Sequence, residues 1–188
     1  MRGIFVLGLV SACYGGIDQS GSGAGGAPND PVVDAPTPVD GHQIDGLDTQ
    51  IVDRAAHMAR FARIDATAYK SALGDFTIDV FINHQARDYS AIHPDGAGTN
   101  VTFDVGTLIV RKVYGATGAV EKITLMSKGP AGYDSTIGDW WFGVTDPSGV
   151  PLPDGNGGYQ VGRLTECHGC HIPHANNDYL FGVPAADQ

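Results

Sequence analysis

One short pattern near the end of the chain limits its fold more than any other. Residues 167–171 read Cys167-His168-Gly169-Cys170-His171, and seventeen residues follow. The spacing C-x-x-C-H is the covalent attachment signal of a c-type haem. Two thiols one helical turn apart can add to the two vinyl groups on one edge of a porphyrin, and the adjacent imidazole then presents a ring nitrogen to the iron. Cys167 and Cys170 are therefore the expected thioether residues and His171 the expected axial ligand of one haem c. Other chemistries use similar spacings. Cys167 and Cys170 with His171 or His174 can ligate zinc. A thioredoxin-like redox pair needs a βαβ context that the flanking sequence lacks, and a five-residue pattern also arises by chance.

The opposite end carries an independent signal. Arg2 precedes an apolar run over residues 3–10, and Val10, Ser11 and Ala12 lead into Cys13. A positive start, a short apolar stretch and small residues describe an export signal, and the run falls short of the roughly 20 residues that span a bilayer. An aliphatic residue, two small residues and a cysteine resemble the bacterial lipobox. Residues 1–12 are thus expected to be a signal peptide and Cys13 the lipidation site. The alternative is an ordinary cleaved signal in which Cys13 is incidental. Both readings lead out of the cytoplasm, where haem attachment also takes place. The expected location is a periplasm-facing membrane lipoprotein or a protein secreted to the periplasm. Tyr14 in place of an aspartate after Cys13 favours the outer membrane.

Residues 13–46 are rich in Gly, Pro, Asp and Ser and contain no Lys or Arg. Their apolar residues follow no period, so this stretch is expected to be a disordered, flexible acidic tether. Over the whole chain 11 basic residues face 21 acidic ones, for a formal charge of −10, which argues against nucleic acid and against a polybasic membrane surface as partners. An apolar share of 42% and a mean hydropathy of −0.08 exclude both a polytopic membrane protein and a wholly disordered chain.

Residues 47–188 are long enough for one real core. Asp48 or Thr49 can cap a helix whose face is Ile51, Ala55, Met58 and Ala62, with Arg54 and Arg60 pointing elsewhere. The period then changes to two. Phe76, Ile78, Val80 and Ile82 form one face of a strand, and residues 84–92 suit a short helix ahead of a turn at His93-Pro94-Asp95-Gly96. Residues 107–114, 120–126 and 140–145 read as three further strands separated by Gly-rich or Pro-rich turns. The expected fold class is α+β, mainly β: an antiparallel sheet with an N-terminal helix and a C-terminal haem-bearing helix. Met58 and Met126 are the Met residues left for a sixth iron ligand, and both read as core, as His84 reads as surface, so an open iron position is expected. His168, between the two cysteines, is expected to face solvent.

Four blocks in order resemble the cytochrome P-460 family, which includes the cytochromes c′-beta. They are residues 76–83 with Ala86 and Tyr89; residues 105–114; Leu125 to Lys128 with Gly132-Tyr133-Asp134 and Gly138-Asp139-Trp140; and Cys167 to His171 followed by Asp178-Tyr179-Leu180-Phe181-Gly182. The resemblance covers about residues 76–184. It implies an antiparallel β fold carrying its haem on a helix near the C-terminus. In the P-460 enzymes a Lys on the second of these blocks is linked to the porphyrin rim, whereas this chain has Arg111 there with Lys112 beside it. Arg is a poor nucleophile, and Lys112 belongs to the opposite face of an extended strand. The expectation is a haem without a Lys cross-link, binding nitric oxide or a related small ligand. The alternatives are a hydroxylamine-oxidising enzyme and a simple electron carrier with a periplasmic redox partner. Arg111 is expected to hold a haem propionate or an anionic ligand, against the plainer reading of an exposed strand residue. Lys128 and Arg163 are further propionate candidates, and Phe81, Trp140, Trp141 and Phe142 are candidates for an apolar wall or for plain core. A homodimer is compatible with the sequence.

Overall fold

The computed structural model describes residues 43–71, 76–94 and 100–188. The expected signal peptide, Cys13, the tether up to residue 42 and the Asp95-Gly96 part of the expected turn lie outside the described residues.

Helix α1 (Gly46–Ala55) starts earlier than its sequence suggests. Asp45 is the N-cap: its side chain accepts from the backbone N–H of Leu47 and Asp48, and the Asp48 side chain accepts from the Asp45 N–H. This reciprocal box satisfies backbone donors that a helix start otherwise leaves bare. Asp48 is drawn inward, with 1% of its surface exposed, because its other oxygen accepts the indole N–H of Trp141 at 2.7 Å. The helix also ends sooner than the apolar spacing implies. Ile51 and Ala55 are buried, but Met58 falls in a 3-10 turn and Ala62 in strand β1 (Ala62–Arg63). Pairing of Ala62 and Arg63 with the neighbouring strand wins over one more helical turn.

The other strands are β2 (Tyr69–Lys70), β3 (Thr77–Ile82), β4 (Leu108–Tyr114), β5 (Val120–Lys128), β6 (Trp140–Thr145) and β7 (Val161–Gly162). Among the described residues they form one open antiparallel sheet of order β1-β3-β4-β5-β6-β7, with β2 also on β3. Short helix α2 (Ala86–Ser90) follows β3, and α3 (Thr165–His171) follows β7. The mainly β, antiparallel reading with a helix before and after the sheet is what the chain adopts.

The sheet is buried on both faces. On one, Ile78, Val80 and Ile82 of β3, Ile109 and Val113 of β4, Met126 of β5, and Trp140 and Phe142 of β6 pack with Tyr89, Ile92, Phe103, Leu180 and Val183. On the other, Leu108, Val110, Ile123, Leu125, Trp141 and Val161 pack with Ile51 and Ala55 of α1. The alternation of strand side chains thus sends the N-terminal helix to one face and the C-terminal segment to the other. Phe76, expected at the start of the buried face, precedes β3 and stands 45% exposed. The tail closes over the core through Gly182, where any Cβ would collide with the Ile92 carbonyl.

Asp48 links the helix start to the sheet, so Asp48→Ala removes the returning half of the capping box and orphans a buried indole N–H. The expected loss is about 2–4 kcal/mol of unfolding free energy, read by urea denaturation. A loss within about 0.5 kcal/mol of zero contradicts this role.

Candidate functional site

Helix α3 crosses the sheet face that carries Ile109, Arg111, Thr124, Met126, Phe142 and Val144. These residues alternate along three adjacent strands, with Arg111 opposite Thr124 and Met126 opposite Phe142. Between helix and sheet runs a cleft of about 570 Å³ including its open mouth, lined by those six side chains together with Cys167, Cys170 and His171. Cys167, Cys170, His171 and Arg111, chosen from sequence alone, thus converge on one site. Cys13 lies outside the described residues.

His171 is held with care. It is 8% exposed and sits edge-on to two aromatic rings, Phe142 at 5.4 Å and Phe181 at 5.0 Å between centroids. Its Nδ1 lies 2.7 Å from the Tyr179 carbonyl oxygen. A carbonyl can only accept, so Nδ1 carries the proton and Nε2 keeps its lone pair. Burial, with the nearby Arg111 cation adding to it, pushes the imidazole pKa down to about 3. The ring therefore stays neutral through the ordinary pH range and can donate to a metal. Burial pushes the Cys167 thiol up to about 12.

Arg111 is half-buried, and its Nη2 is buried without a hydrogen-bond partner. Its guanidinium lies 5.9 Å from the Phe181 ring centre and also borders a second cavity beside Tyr69, Ile78 and Gly182. A buried cationic N–H left unpaired is costly, so this position calls for an anionic or carbonyl partner. Lys112 takes the other face of β4 and packs 5.1 Å from the Phe81 ring centre. The irregularity in the β4–β5 pairing comes at Val113/Tyr114, beyond Lys112, and so does not turn it round.

Several other expectations change. His168 is 9% exposed, not solvent-facing: its Nε2 lies 3.7 Å from an Asp134 carboxylate oxygen and its ring 5.8 Å from Phe142. Leu164, His168 and His171 occupy positions i, i+4 and i+7, the stripe by which α3 packs on the sheet, and all three are buried. Lys128 is paired with Asp178 at 2.5 Å and so does not stand open for a propionate, and the exposed Arg163 lies over the Tyr133 ring at 4.9 Å. Of the four aromatic residues considered as a wall, Phe142 lines the cleft; Trp140 packs elsewhere on that face, and Trp141 and Phe81 lie on the opposite one. Met126 lines the cleft, whereas Met58 lines a cavity against α1. His84 is bonded to the Thr107 hydroxyl at 2.8 Å and lines neither cavity around Arg111. Among the described residues no group of three or more His, Cys, Asp or Glu side chains is placed to hold a metal ion.

The roles of Tyr179, Asp178 and Phe181 were missed. Tyr179 contributes through its backbone, which side-chain identity does not reveal. In protein made in the cytoplasm, where its thiols stay free, Cys167 is expected to react with iodoacetamide at pH 8 about a hundredfold slower than a free thiol, because so little thiolate is present. Mass spectrometry over time reads the rate, and labelling at the free-thiol rate contradicts the burial described here.

Compared with known proteins, the chain matches no protein-family model, no curated protein and no solved structure.

Proposed function

We propose that this protein is an exported, lipid-anchored monohaem c-type cytochrome that binds a small ligand such as nitric oxide at an open iron position, without a Lys–haem cross-link. One observation carries the reading: His171 is a buried, neutral imidazole whose Nδ1 is taken by the Tyr179 carbonyl, on the wall of a cleft that both cysteines share. Cys167 and Cys170 would hold haem c by thioethers and His171 would be its axial ligand. When bound, the haem supplies an iron that takes up a small ligand and changes oxidation state.

The chain's own residues do the rest. Phe142 and Phe181 hold the His171 ring edge-on and screen it from water. The Tyr179 carbonyl fixes the tautomer that leaves Nε2 for the metal, and its hydrogen bond makes the imidazole a stronger donor. The orphaned Nη2 of Arg111 supports a carboxylate or anionic ligand beside the cleft. Lys112, packed over Phe81 on the far face, supports a site without the cross-link, and with it ligand binding in preference to hydroxylamine oxidation. Export and the lipid anchor are supported by residues 1–13.

Met126 favours a second reading, because it lines the same cleft as His171. As a sixth ligand it would make the protein an electron carrier.

The ultraviolet–visible spectrum of the exported protein, oxidised, reduced and exposed to nitric oxide, tests these readings. We expect a haem that stays with the denatured polypeptide, a spectrum that changes on adding nitric oxide, and no covalent haem in a Cys167→Ser, Cys170→Ser double variant. A colourless protein, or one with zinc in place of haem, overturns the proposal. A six-coordinate spectrum that Met126→Leu converts to five-coordinate selects the electron carrier. A haem peptide joined to Lys112 by mass selects the enzyme.

Arg111→Met is expected to weaken ligand or haem retention roughly tenfold, measured by ligand titration and haem loss. Unchanged values return Arg111 to an ordinary strand residue.

A further inference from the structure

We propose that Lys128 and Asp178 form a clamp that positions the axial histidine through the backbone of Tyr179; the inference rests on the haem reading above. Asp178 and Tyr179 follow the 3-10 turn after α3, and both adopt the left-handed conformation, with φ of 51° and 64°. Two successive non-glycine residues in that region are uncommon and persist where their surroundings fix them. This pair turns the Tyr179 carbonyl back onto His171.

What fixes the pair is visible atom by atom. The Lys128 ammonium, at the end of β5, lies 2.5 Å from one Asp178 carboxylate oxygen. The Phe103 N–H donates to the other at 2.8 Å, and the Trp140 indole N–H donates to the Asp178 carbonyl at 2.8 Å. The Tyr179 N–H donates to the His174 carbonyl at 2.8 Å, and its ring fills the space beside Gly138 that a Cβ would occupy. Both charged side chains are nearly buried, at 12% and 6% exposed, and the ammonium lies 5.1 Å from the Trp140 ring centre.

A buried ion pair is weak evidence for stability, since an apolar pair of similar volume often serves as well. What such a pair does provide is direction: a carboxylate bonded on both oxygens cannot rotate, and the residue carrying it is fixed with it. Strand β5 also contributes Thr124 and Met126 to the cleft, so the clamp refers the histidine to the wall it faces. Lys128 and Asp178 are positioning residues. They act on His171 through the Tyr179 carbonyl, whose hydrogen bond raises the donor strength of the imidazole.

The test uses the full exported protein carrying Asp178→Asn, Lys128→Met or Lys128→Arg. Asn tolerates the left-handed conformation and still accepts from the Phe103 N–H, and Met keeps the stem of Lys128, so the two disruptive variants fail to fold for different reasons if they fail at all. With the clamp broken, the imidazole donates less well and oxidised iron loses more than reduced iron. The expected result is a higher reduction potential, by about 59 mV for a tenfold change in relative ligand strength, and a lower iron–histidine stretching frequency in the resonance Raman spectrum of the reduced protein. Lys128→Arg keeps the charge and is expected to stay near the wild type. Wild-type potential and stretching frequency in Asp178→Asn or Lys128→Met overturn the clamp and leave the haem reading standing. A wild-type protein without covalent haem overturns the haem reading, and the clamp's role with it.

Discussion

Strand β4 has no solvent face over its first three residues: Leu108, Ile109 and Val110 are each at most 1% exposed. Successive strand residues point to opposite sides, so burying all three demands cover on both. Helix α1 supplies one cover, with Ile51 and Ala55 against Leu108 and Val110. The C-terminal segment, with Leu180 and Val183, supplies the other together with Tyr89 and Phe103. The order of the chain follows from this constraint, because the segments before and after the sheet become its two lids.

The site arises where the second lid is incomplete. Arg111 and Thr124 interrupt the apolar face between Ile109 and Val144, and α3 bridges the gap without filling it. A histidine placed there without support would be a liability, since its charged form is desolvated beside a guanidinium. The Tyr179 carbonyl and two aromatic edges make it instead a neutral, oriented donor. The same local environment keeps Cys167 protonated. Imidazole and thiol are thus held in the neutral forms that burial favours, with one cation, Arg111, among them.

Buried carboxylates do the long-range joining. Asp48 ties the start of α1 to Trp141 in β6, Asp79 accepts from Arg63 and from the Tyr114 hydroxyl, and Asp178 ties the C-terminal turn to β5 and to Phe103. Each is satisfied on both oxygens or by two donors, as a buried charge has to be. Each also fixes an angle between elements that apolar packing alone leaves adjustable.

Much of this was legible in residues alone. Strand β3 declared itself by its period of two, β4 by its β-branched residues, β5 and β6 by the turns that bound them, and the Cys167, Cys170 and His171 spacing marked the helix that lines the cleft. Arg111 was singled out because it stands where the resembled family carries a Lys. The unread parts share a physical cause. Strands β1, β2 and β7 are two residues each and exist because a partner strand offers hydrogen bonds, so no local pattern announces them. The helical face through Met58 and Ala62 was cut short because Ala62 and Arg63 pair with Ile82 and Phe81. His168 was misread because exposure belongs to a packed surface, and the loop carrying Asp134 covers it. Periodicity and spacing, set by bond geometry, determine which residues share a face. Which backbone carbonyl meets an imidazole, and which carboxylate holds that carbonyl in place, depend on contacts between residues as far apart as Lys128 and Asp178, and those form only when the chain closes on itself.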